Sequence, residues 1–367
     1  MGFFDKVFNK KEEKITSYED FWNWFQTCES SFFETVKQHK NIEKNFIDKV
    51  SPKLQQINKG FLILTGMLNE HTAELIVTAD GQIKTMVFIE ELIASAPEID
   101  RWEFTALKPA VQIDDFGIEM NGFKFNCTNL NFTHKDVKEH PDHIDISIYY
   151  DDFNEENRDF FTNGIYIFLD NFLGELDFAT TIDTIEILGK DSINSELIPI
   201  NKLKDFLIWR QKEFIEKYEA FRYDTVNDNY SSMEATLANG RPLIAIINTT
   251  LLEWEDKVSH PWLSCLTITY KGNNNNGLPN KIDYELCQQI EEEIMNELKD
   301  ADGYLNIGRQ TADNEREIYF ACKDFRKPSK VLSAIEDNYK SQLPIRFEIY
   351  KDKYWLSLSR FNPKTHL

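Results

Sequence analysis

From Asn280 to Phe325 the spacing of apolar residues changes period inside one stretch, and that change restricts the fold more than any other feature of the chain. Residues 282–298 repeat with the period of a helix, whereas 304–310 and 315–322 alternate with a period of two. A helix feeding an antiparallel hairpin has one apolar stripe and one apolar face to bury. Laying helix on sheet satisfies both, so the stretch predicts an α+β sandwich.

The same alternation of periods runs to either side. Residues 243–248 and 263–270 precede the stretch as strands, 329–339 follow as a helix, and 345–350 and 354–359 close the chain as strands around a turn at Asp352. The central block reads β-α-β-β-α-β, the ferredoxin-like order of elements. The first half reads the same way, with strands at 74–79, 101–107, 143–150 and 181–188. Its helices fall at 82–95 and at 158–173, the second interrupted at Asn163-Gly164. Asn121-Gly122 separates two short alternating runs and suits a type I′ hairpin turn, whose central residues both need positive φ.

The architecture predicted is therefore α+β, with two tandem ferredoxin-like α/β sandwiches whose antiparallel sheets carry helices on one face. A helical extension over 17–54 precedes them, with Phe21, Trp22, Phe25, Phe32, Phe33 and Val36 at helical spacing. Residues 203–221 form a connecting helix with apolar residues on more than one face. The expected divisions are a flexible leader over 1–16, an N-terminal α+β domain over 17–200, the connecting helix over 201–221 and a C-terminal α+β domain over 222–367.

Charge and cysteine content exclude several partner classes. The net charge of −21 would repel a phosphate backbone, and no dense basic patch interleaves with aromatics, so nucleic acid is not an expected partner. No apolar run approaches the roughly 20 residues that span a bilayer. The opening MGFFDKVFNKKEEK lacks a signal-peptide core and has Lys6 where myristoylation needs Ser or Thr, so no membrane partner is expected either. Cys28, Cys127, Cys265, Cys287 and Cys322 are widely spaced and odd in number. They read as structural thiols of a reducing cytoplasm rather than a disulfide framework.

From about Arg222 to Arg360 several short motifs occur in order. They are Tyr230-Ser231, Gly240-Arg241-Pro242, Asn276-Gly277-Leu278-Pro279, Glu291, Gly308-Arg309-Gln310-Thr311, Arg316-Glu317-Ile318-Tyr319-Phe320 and Asp352-Lys353-Tyr354-Trp355. In these the second half resembles a bacterial family called domain of unknown function 695. The first half, around Glu74-Leu75-Ile76-Val77-Thr78-Ala79-Asp80-Gly81 and from Ala96-Pro97 to Pro109, is similar to a segment of uncharacterised bacterial proteins. The resemblance implies no activity and supplies no catalytic residues. Some relatives in that family carry a domain similar to a protein regulator of a ribonuclease, which is not recognisable here.

Candidate chemistry gathers at one end of the opening stretch. Strand alternation puts Leu305, Ile307 and Arg309 on one face, and Arg316, Ile318, Phe320 and Cys322 on one face of the returning strand. Arg309 and Arg316 would then flank the hairpin turn on the helix-covered side. The order of elements brings that turn to the same end as the start of the 282–298 helix and the Asn-rich loop. Arg309, Arg316, Asn276 and Gly277 are thus a candidate site for a carboxylate or phosphate. The competing account pairs both arginines internally, with Asp283, Glu285 or Glu315.

His134, Asp136, Glu139, His140, Asp142 and His143 are metal-competent but fit no ligand spacing and read as a solvated loop, so no metal or other cofactor is expected. His260 follows the acidic run Glu253-Trp254-Glu255-Asp256, where a base could act. No nucleophile accompanies it, the loop reads as pinned by Trp254 and Trp262, and no catalytic residue is assigned. The leading expectation is a non-catalytic binding or regulatory protein of a bacterial cytoplasm, with a protein partner or a small anionic ligand. The alternatives are an enzyme acting on a small anionic substrate at the Arg309/Arg316 end, and a structural subunit of a protein complex joined through the 203–221 helix.

Overall fold

The structure, a computed structural model, describes residues 14–111, 116–193 and 196–362. The leader expected over 1–16 therefore lies almost wholly outside the described residues. The chain is mixed α+β with several sheets, and it divides into two compact units, residues 1–110 with 174–176 and residues 111–173 with 177–367.

In the first unit, helix α1 (Tyr18–Lys37) opens with the capping box its sequence offers. Ser17 Oγ accepts the Asp20 N–H, and the Asp20 carboxylate accepts the Ser17 N–H. A second helix, α2 (Asp48–Leu54), leads to a three-stranded sheet of β1 (Leu62–Met67), β2 (Ala73–Thr78) and β3 (Trp102–Ala106). β2 and β3 run parallel, joined by the crossover helix α3 (Ile83–Ala94). The Phe/Trp stripe of α1 is its core face, and the Phe25 ring meets Trp102 and Phe104 edge-on at 5.2 and 5.5 Å. One carboxylate from far along the chain closes the unit. Glu175, fully buried, accepts the Thr78 hydroxyl at 2.6 Å and the backbone N–H groups of Ala79, Gly81 and Lys108 at 2.9, 3.0 and 3.0 Å.

The second unit begins with the hairpin β4 (Gly117–Met120) and β5 (Phe123–Asn126), whose turn places Asn121 and Gly122 at φ 48° and 84° as the dipeptide requires. A second sheet has the order β8-β7-β6-β9, built from β6 (Leu130–Lys135), β7 (Asp145–Tyr150), β8 (Thr184–Leu188) and β9 (Ile198–Pro199). The crossover from β7 to the parallel strand β8 runs through α4 (Arg158–Leu173) and α5 (Glu175–Thr181). α4 is not broken at Gly164. A Cβ there would lie 2.4 Å from the Phe125 ring, so this glycine admits an aromatic neighbour rather than ending a helix.

The first half is consequently not a ferredoxin-like sandwich. β2 and β3 stand in one sheet, β7 and β8 in another. Each β-α-β crossover yields a parallel pair with an antiparallel neighbour of its own, β1 or β6.

Helix α6 (Leu203–Tyr218) leads into the last sheet, which is antiparallel throughout. Its order is β10-β11-β13-β14-β12-β15, from β10 (Tyr230–Thr236), β11 (Pro242–Asn248), β12 (Trp262–Thr269), β13 (Tyr304–Ala312), β14 (Glu315–Cys322) and β15 (Ile345–Lys351). Three helices accompany it, α7 (Thr249–Leu252), α8 (Lys281–Glu297) and α9 (Arg326–Tyr339). The strand expected over 354–359 is instead a 3-10 turn, Leu356–Phe361. Trp355 adopts φ 54°, and the Asp352 carboxylate accepts the Leu356 and Ser357 N–H groups, both at 2.8 Å. Trp355, Leu358 and Phe361 share a core with Leu251, Ile247 and Tyr319, so this sheet is covered on both faces rather than one.

A bulge in β13 corrects the expected parity of the hairpin. Asn306 pairs with Phe320 but Gly308 pairs with Tyr319, leaving Ile307 between them. Arg309 therefore shares its face with Asn306, Thr311, Arg316 and Ile318, while Leu305 belongs to the opposite core. Gly308 is required at the bulge. Its φ is 132°, and a Cβ would sit 2.2 Å from the Ile246 carbonyl oxygen on β11. Gly308→Ala is expected to lower unfolding free energy by at least about 2 kcal/mol in a urea titration, since neither backbone can give way.

Candidate functional site

Arg309 and Arg316 share one face of the hairpin, and each charge has its own surroundings. Arg309 Nη1 donates to both oxygens of Glu291 on α8, at 3.0 and 2.9 Å, and Glu291 is itself buried. Arg309 thus pairs internally, with Glu291 rather than with Asp283, Glu285 or Glu315. Arg316 is only 2% exposed. Its Nε donates to Thr311 Oγ1 at 3.0 Å, its guanidinium lies 5.0 Å over the Tyr284 ring, and its Nη1 is buried with no partner among the described residues.

Gly277 reaches the hairpin turn and holds it, next to Asn276 in the Asn-rich loop. Both have positive φ, and the Gly277 carbonyl accepts the Asn314 N–H at 2.8 Å while its own N–H donates to Gly272. A Cβ on Gly277 would lie 2.9 Å from Asp313 Cα. The guanidinium that meets this loop is Arg241, which pairs with Asp313 and donates to Asn273 Oδ1 at 3.0 Å.

Within the second unit the polar run 134–143 packs against Lys217, Tyr218 and Tyr354. Among the described residues no group of three His, Cys, Asp or Glu could hold a metal. Asp142 accepts from Lys217 at 3.0 Å and from the hydroxyls of Tyr218 and Tyr354 at 2.8 and 3.1 Å, and the rings of His140 and His143 stand 4.6 and 5.0 Å from that of Tyr354. His260 is fully buried, with Nδ1 2.9 Å from Ser259 Oγ and Nε2 unpartnered among the described residues. Burial, with lesser contributions from Lys323 and Arg222, lowers its pKa to about 3, so the ring stays neutral.

Two arrangements carried no clear sequence signal. The first is a buried charge latch within the second unit. Asp183, just ahead of β8, is gripped by Lys351 at 3.0 Å and Lys353 at 2.7 Å, and accepts the Ile144 N–H at 2.7 Å. Burial alone raises the Asp183 carboxyl, but the two ammonium groups together hold it below the usual carboxylate range. Asp183 is shared by two lysines, with Asp145 acting more weakly on Lys351. Burial, opposed by Asp183 and reinforced by Lys353, lowers Lys351 to about 8.

That shift has a definite sign. Between about pH 8 and the ordinary lysine range the unfolded chain holds a proton on Lys351 that the folded chain has released, so this group makes stability rise with pH there. The difference in unfolding free energy between wild type and Lys351→Met should grow over that window in chemical denaturation series. A constant difference would refute the assignment.

The second arrangement is a cleft of about 570 Å3 beside α7. Tyr223, Thr250 and Trp254 line it with Glu253, Glu255 and Asp256. The Tyr223 and Trp254 rings lie 4.6 Å apart at 45°, and the Tyr223 hydroxyl is engaged by Asp228 at 2.9 Å. Trp254 also backs onto the His260 ring at 5.4 Å. The run 253–256 drew attention in the sequence only for its nearness to His260. Tyr223 is brought to it by the fold. A smaller groove of about 400 Å3 runs along α6, where Ile208 and Ile215 are exposed beside Leu173 and Leu207.

The six-stranded sheet, its bulged hairpin and the closing 3-10 turn delimit the segment that carries the cleft and both latch lysines. Residues 232–361 match the Family of unknown function (DUF695). The match covers a little over a third of the chain, from within β10 to the end of the 3-10 turn. No curated protein and no solved structure matches the chain. The DUF695 segment holds Trp254, Glu253, Glu255 and Asp256 of the cleft, whereas Tyr223 and Asp183 lie before it. No helix among the described residues is long and apolar enough to cross a membrane.

Proposed function

We propose that this is a non-catalytic binding or regulatory protein of the bacterial cytoplasm, and that it recognises its ligand in the Tyr223–Trp254 cleft. The observation that carries the reading is the cleft itself, which combines aromatic faces with convergent polar groups on a buttressed wall. The block from β12 to β15, with strand order β13-β14-β12-β15, fits a ferredoxin-like sandwich, a fold that supports recognition as well as catalysis. A thermal-shift screen with a chemically mixed small-molecule library tests the proposal. At least one compound class should stabilise the wild type and not Trp254→Ala, because a ligand stabilises only the state that binds it. Equal shifts in both proteins, or none in the wild type, would refute it.

An anion site is the second reading, and the buried, unpartnered Nη1 of Arg316 favours it. With Arg309 paired to Glu291 and the Gly277 carbonyl bonded to the hairpin turn, the reading centres on Arg316 beneath Tyr284. Phosphate or a small carboxylate should then stabilise the wild type but not Arg316→Met, and the absence of any anion-dependent shift would exclude it.

A further inference from the structure

We infer that the Tyr223–Trp254 cleft takes an organic cation, an ammonium group carried on a small apolar body. The inference rests on the binding role proposed above and adds the charge and shape of the ligand. The Tyr223 and Trp254 rings pack against each other and both line the cavity, and aromatic rings attract a cation and cover its methylene or methyl groups without leaving a polar atom unpaired. The Tyr223 hydroxyl is already engaged by Asp228, so this residue offers its ring rather than a hydrogen bond. Glu253, Glu255 and Asp256 line the same cavity and set its sign.

The basic residues nearest the cleft are Lys257, which acts on Glu253, and Arg222 and Lys323, which act on His260; none of the three is among the lining residues. Lys257, the basic residue of the same loop, is turned inward, donating from Nζ to the Leu252 carbonyl at 2.6 Å and lying 5.8 Å over the Trp355 ring. Behind the aromatic wall His260 is buried and neutral, so it puts no positive charge behind the rings. The net charge of −21 further raises the local concentration of cations. An anion would meet three carboxylates, whereas a cation meets charge of the opposite sign.

Isothermal titration of the full chain at low ionic strength, with four probes of similar size, tests the inference. Butylamine and tetramethylammonium should bind saturably, butan-1-ol at least about tenfold more weakly, and butyrate not at all. Glu255→Gln alters an exposed side chain and should weaken both cations about threefold or more while leaving butan-1-ol unchanged. Trp254→Phe keeps a ring against His260 and should weaken them less than Trp254→Ala. Trp254-dependent binding of butan-1-ol or butyrate as tight as the amines would overturn the charge assignment and leave the binding role standing. Should none of the four bind, the cation inference falls, and the mixed-library screen decides the binding role separately.

Discussion

Asp183→Ala is expected to destabilise the second unit by about 3–5 kcal/mol, the cost of leaving buried charge without its partner. The substitution removes the one carboxylate that faces both Lys351 and Lys353, whose side chains are 11% and 2% exposed, and it also orphans the Ile144 N–H. A urea titration followed by tryptophan fluorescence reads the effect as a lower midpoint with an unchanged slope. Asp183→Leu combined with Lys351→Met and Lys353→Met should recover most of the loss, because replacing all members of a buried ionic group by apolar ones is often neutral. A loss under about 1 kcal/mol for Asp183→Ala would mean that solvent reaches the lysines.

Glu175→Ala should be nearly as damaging, and in the other unit. Its carboxylate gathers one hydroxyl and three backbone N–H groups from the end of β2 and the segment after β3. Each donor left unpaired in the interior costs about 1–3 kcal/mol, and rearrangement can rescue only some of them. Glu175→Gln keeps the shape but turns one acceptor into a donor that faces other donors, so it should recover little. Hydrogen exchange provides a local check. The Ala79, Gly81 and Lys108 amides should lose protection in Glu175→Ala while amides of the six-stranded sheet keep theirs. Loss of protection throughout would contradict a local role.

Much of this fold is legible in the sequence where local chemistry and tertiary packing agree. The Asn121-Gly122 turn, the Ser17/Asp20 cap and the aromatic face of α1 follow from backbone preference and period alone. The returning strand is legible from Arg316 to Cys322 because nothing interrupts its alternation. Legibility ended where one residue answers to a distant neighbour. Gly308 looks like an ordinary strand glycine until β11 is known to pass within contact of it, and the resulting bulge reverses the face of Leu305 relative to Arg309. The strand-like residues Tyr354–Ser359 become a turn because Asp352 caps them. Sheet membership in the first half was equally hidden, since two parallel β-α-β units have the same element order whether they join or stay apart.

The candidate site divides in the same way. Strand parity placed Arg309 and Arg316 on one face, but the partner of Arg309 sits on a helix whose rotation no local pattern reveals. Asp183 and Glu175 are single acidic residues in a chain of many, and their roles exist only through contacts with remote segments. The cleft was half visible, as a run of three carboxylates around Trp254. Its second wall, Tyr223, comes from outside the family segment.

The central claim is that Trp254 is the wall of a cation-binding cleft. Two-dimensional NMR of the seven tryptophan indole N–H groups, recorded while tetramethylammonium is titrated into the full chain, addresses it most directly. The Trp254 resonance, assigned by its absence in Trp254→Phe, should shift saturably while Trp22, Trp102 and Trp209 stay in place. A Trp254 resonance that stays fixed, or one that moves no more than that of Trp209 on exposed α6, would contradict the claim.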